Sequence, residues 1–62
     1  MSVRAELTAV SSTLGELTQR VSRLLSQLSP TEEERYGVGL QEVERTLGAA
    51  SRRLERLVTS QH

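Results

Sequence analysis

No cysteine occurs in the sequence, and lysine, aspartate, tryptophan and phenylalanine are missing as well. Without cysteine there is neither a disulfide nor a thiolate metal site to staple so small a chain. The single histidine is the last residue, His62, and no second histidine stands at a helical spacing to share a metal with it, so it reads as a tail residue. A nucleophile needs a base held beside it, and the serines and threonines here are scattered without one. The sequence therefore predicts no enzyme, no cofactor and no metal.

Charge of one sign is lacking too. Arginine and glutamate balance to a formal net charge of +0, so no long-range field draws the chain to nucleic acid or to anionic lipid. Long apolar runs are missing: nothing approaches the roughly 18 residues of a membrane span, and the opening MSVRAELTAV has no signal-peptide apolar region. These absences predict a cytoplasmic protein without membrane contact.

What is present is a strict periodicity. From Val3 the apolar residues fall at Leu7, Val10, Leu14, Leu17, Val21, Leu24 and Leu28, spaced alternately by three and four. In a heptad lettered a to g, this puts Leu7, Leu14, Val21 and Leu28 at a, and Val3, Val10, Leu17 and Leu24 at d. The second half repeats the pattern, with Leu40, Leu47 and Leu54 at a and Tyr36, Val43, Ala50 and Leu57 at d. Between them, Ser29 and Glu32 form a Ser-x-x-Glu capping box with Pro30 at the first helical position; Thr31 and Glu34 offer a start two residues later. Glu32, Glu33 and Glu34 suit the positive end of the helix and point in different directions, which argues for capping over metal binding. Gly37 and Gly39 each weaken a helix, but YGVGL has none of the other parts of a phosphate loop, and the expectation is one continuous helix.

The pattern predicts an all-α fold, one domain over residues 1–62, made of an antiparallel two-helix hairpin with helices at about 3–28 and 31–58. Closing it on an a/d seam sets Leu24 beside Tyr36, Val21 beside Leu40, Leu17 beside Val43, Leu14 beside Leu47, Val10 beside Ala50, Leu7 beside Leu54 and Val3 beside Leu57. Glu6 then stands opposite Arg53, and Gly37 makes room for Leu25. SSTLG and GAAS lie at about the same height, so both arms are thin there, either as a solvated surface or as a docking point.

Two helices alone cannot fully bury such a seam, and a domain of this size is marginal by itself. The expectation is that the chain dimerises into a four-helix bundle through the seam and the drier e flank. The interface candidates are Leu25, Val38, Val58, Ser11, Thr18, Ser51 and the thin core position Ala50. The function predicted is that of a small non-enzymatic interaction protein, an adaptor, accessory subunit or regulator of a larger protein, acting by helix docking with Arg–Glu pairs setting register. The alternative is a nucleic-acid-associated regulator using Arg52, Arg53 and Arg56 for phosphate contact. Neutral charge and Glu55 among those arginines disfavour it.

Overall fold

The computed structural model describes residues 2–60, and His62 lies outside them. Among the described residues the chain forms two helices, α1 (Val3–Gln27) and α2 (Pro30–Thr59), packed side by side as an antiparallel hairpin of Cα extents 47 × 16 × 13 Å. Both helix starts are fixed locally. Ser2 caps α1, its hydroxyl accepting from the Ala5 amide at 3.1 Å. At α2 the box is reciprocal: the Ser29 hydroxyl accepts from the Glu32 amide at 3.2 Å, and the Ser29 amide donates to Glu32 Oε1 at 2.9 Å. Of the two starts open in the sequence, Ser29 with Glu32 is the one used. Extended backbone at Leu28 and Ser29 makes the whole connection, so nothing but antiparallel neighbours can result.

The second helix runs without a break through Gly37 and Gly39, and no described residue has positive φ. The structure departs from the expectation about Gly37, however. A β-carbon added there would meet only the Glu33 side chain, Cγ at 3.1 Å and Cβ at 3.9 Å, so Leu25 does not use the notch; Glu33, one turn back on the same helix, covers it.

The largest correction concerns the seam. On α1 the a positions Leu7, Leu14, Val21 and Leu28 are half-buried together with the e positions Ser11, Thr18 and Leu25. On α2 the a positions Leu40, Leu47 and Leu54 accompany Glu44, Ser51 and Val58 at e, and Gly37 at e is the one fully buried residue. The d residues stand outside, except for the half-buried Ala50. Each helix is thus turned by about 50° from an a/d seam to an a/e seam, at 100° per residue. Part of the cause is visible in the side chains: beside Leu25, Glu44 and Val58, e carries Ser11, Thr18 and Ser51, small groups that let the arms close on this line. The Ser22 hydroxyl donates to Glu44 Oε2, and a shallow groove joins Thr8, Ser11 and Gly15 to Glu55, Val58 and Thr59. The polar link between the arms is this hydroxyl–carboxylate bond rather than the Glu6–Arg53 pair expected.

Candidate protein-interaction surface

In an antiparallel pair, flanks bearing the same heptad letter lie on the same side. With a and e turned inward, the d position points about 80° away from the contact line on both arms. Val3, Val10, Leu17 and Leu24 from α1 and Tyr36, Val43 and Leu57 from α2 therefore form two stripes on one face of the hairpin. All are exposed, from 42% at Leu17 to 73% at Val3. No apolar side chain is fully buried among the described residues, so this face holds much of the chain's unburied apolar surface. The opposite face carries the b positions Thr8, Gly15, Ser22, Gln41, Gly48 and Glu55, which are small or polar. The hairpin is thus two-sided, oily on d and polar on b.

The d face is shaped as well as apolar. Val3, Glu6, Leu7 and Val10 surround one hollow of about 230 Å³ together with Ser2. Val10, Thr13, Leu14 and Leu17 surround the next, of about 400 Å³, with Glu6 and Ala9 at its margin. Four residues in the order d, g, a, d are the hole into which a facing helix inserts a side chain in coiled-coil packing. Two such holes stand open in succession along α1. At the turn end of the face the guanidinium of Arg35 lies 5.7 Å from the centre of the Tyr36 ring, a cation–π contact that holds the ring over this edge.

The sequence candidates other than Ala50 lie off this face. Leu25, Val58, Ser11, Thr18 and Ser51 are half-buried along the contact between the arms, so the hairpin itself uses the e flank that was expected to be free. Thr18 tolerates that place because its hydroxyl donates to the Leu14 carbonyl at 2.8 Å. Ala50 is half-buried on the d side, and Val38 is 73% exposed toward the other side, a lone apolar group of an ordinary kind. Arg52, Arg53 and Arg56 are exposed on the back of α2, within an arc of about 100° pointing away from α1. The reading by periodicity missed the openness of the d stripe, and its signal was already in the small e residues.

For chemistry the surface offers little. The Ser22–Glu44 pair joins a hydroxyl to a carboxylate, but it sits mid-helix, where the backbone amides are engaged and no donors converge on a reacting oxygen. Among the described residues no three His, Cys, Asp or Glu side chains converge as metal ligands, and no helix is long and apolar enough to cross a membrane. No family model, curated protein or solved structure matches the chain.

Proposed function

We propose that the protein is a small non-enzymatic interaction protein, an adaptor, accessory subunit or regulator, that works by docking helices against its d face and self-associates into a four-helix bundle. The observation that supports this is one face on which both arms expose d-position Val, Leu and Tyr side chains around two vacant holes. A second hairpin laid on that face turns an a/e contact into a bundle core of a, d and e positions, which is how four-helix bundles are closed. A larger partner would use the same holes by presenting an amphipathic helix.

Light scattering on the wild type and on Leu17→Arg tests this reading. The wild type should have the mass of at least two chains at tens of micromolar, and Leu17→Arg should lose it. A fully helical wild-type monomer would remove the proposal. The arc of Arg52, Arg53 and Arg56 favours phosphate contact as a second reading. A gel shift that is absent below about 50 mM salt dismisses it, because phosphate contacts are strongest there.

A further inference from the structure

Resting on that reading, we infer that the occupant of the d face is a second copy of this chain, placed with its turn at the opposite end, so that α1 lies antiparallel on α1 and α2 on α2. Three observations converge on this.

The first is area. The chain exposes 5038 Å² for a mass of 6.9 kDa. A compact monomer of that mass exposes about 4000 Å². The excess of about 1000 Å² per chain is close to what each partner contributes to a standard interface, about 800 Å². One further hairpin is enough to cover it.

The second is the size of the knobs. With the turns together, α1 would face α2 of the copy, and Ala50 would come near the hole of Val10, Thr13, Leu14 and Leu17. An alanine methyl fills such a hollow less than a leucine side chain does. With the turns opposed, the N-terminal half of α1 faces the C-terminal half of α1 of the copy. Leu17 and Leu24 then fill the two holes in succession.

The third is charge along the long axis. Residues 16–46, the half nearer the turn, hold four arginines and six glutamates, a net −2; the remaining residues hold four arginines and two glutamates, a net +2. Opposed turns bring the acidic end of one copy, where Glu33 and Glu34 lie, to the height of the basic end of the other, where Arg52, Arg53 and Arg56 lie. Turns together would stack like on like at both ends, which costs association energy. A chain neutral overall and polarised along its length is complementary to itself.

The test uses the full chain, whose lack of cysteine makes single-site spin labelling specific. Labels at Glu34→Cys, on the polar side near the turn, report the distance between two copies by pulsed dipolar spectroscopy. With the hairpin 47 Å long, opposed turns should give about 40 Å, whereas turns together give about 20 Å. Mixing chains labelled at Glu34→Cys with chains labelled at Thr59→Cys should add a short distance, about 20 Å, only in the opposed arrangement.

Neutralising the basic end, Arg52→Gln with Arg53→Gln, should weaken dimerisation about fivefold at low salt. In the other arrangement the same change strengthens it. Val10→Arg should weaken the dimer about 100-fold or more, because each copy loses one buried side chain. The milder Leu17→Ala should weaken it while keeping the helix content, and Gln41→Arg on the b face should leave it unchanged. A dimer with a short Glu34–Glu34 distance overturns the arrangement and leaves the interaction reading standing. A helical monomer at tens of micromolar overturns both.

Discussion

At Gly15 an added β-carbon would meet no atom within 4 Å, although the residue lies inside α1. Glycine there costs helix stability and makes no room for the other arm, so Gly15→Ala should raise stability by about 0.5–1 kcal/mol in urea unfolding. Gly37→Ala should fall short of that gain, because its new methyl must move the Glu33 Cγ now 3.1 Å away; shortening that side chain in Gly37→Ala with Glu33→Ala should recover it. Glu32 makes a different kind of prediction. The Ser29 amide, and then the Ser29 hydroxyl, favour its charged form and hold its carboxyl below the ordinary value of 4.5. A lowered folded-state value means that the charged cap stabilises the hairpin above the ordinary glutamate range, and that this help fades as pH falls through the lowered value. Thermal midpoints of wild type and Glu32→Gln should therefore differ most at neutral pH and converge in acid. This cap was legible in the sequence because every part of it, Ser29, Pro30 and Glu32, lies within four residues.

At the level of the two helices, the heptad spacing told how long the arms are and that they fold back on each other. It could not tell which two of the letters a, d and e meet inside the chain, because in helical bundles all three can line a core. Leu14 would satisfy either seam. Ser11 and Ser51 decide it: small side chains belong where two helices of one chain come together, and the large Val10 and Leu17 are left outside. One polar link was hidden as well, since a heptad pattern ranks apolar positions and does not say which polar pair joins the arms. Ser22 and Glu44 are that pair, both half-buried. Ser22→Ala should cost about 1 kcal/mol by leaving the carboxylate without its donor, and adding Glu44→Leu should recover the loss, because removing both partners removes the unmet need. Chemical denaturation of the two variants and of Glu44→Leu alone completes the cycle.

The whole molecule is a narrow rod with unlike sides. If copies close on the d face, folding and association are one equilibrium, and the thermal midpoint should rise by about 5 °C for each tenfold increase in protein. Tyr36, the only aromatic residue and 49% exposed on that face, should report the same event through its fluorescence on dilution. A midpoint that stays fixed from one micromolar to a hundred would separate the fold from any partner. The division into an oily and a wet side has a practical corollary. A rigid body with that division should act as a surfactant, and in dilute samples air bubbles and plastic walls would then compete with a second copy for the same stripe of valine and leucine.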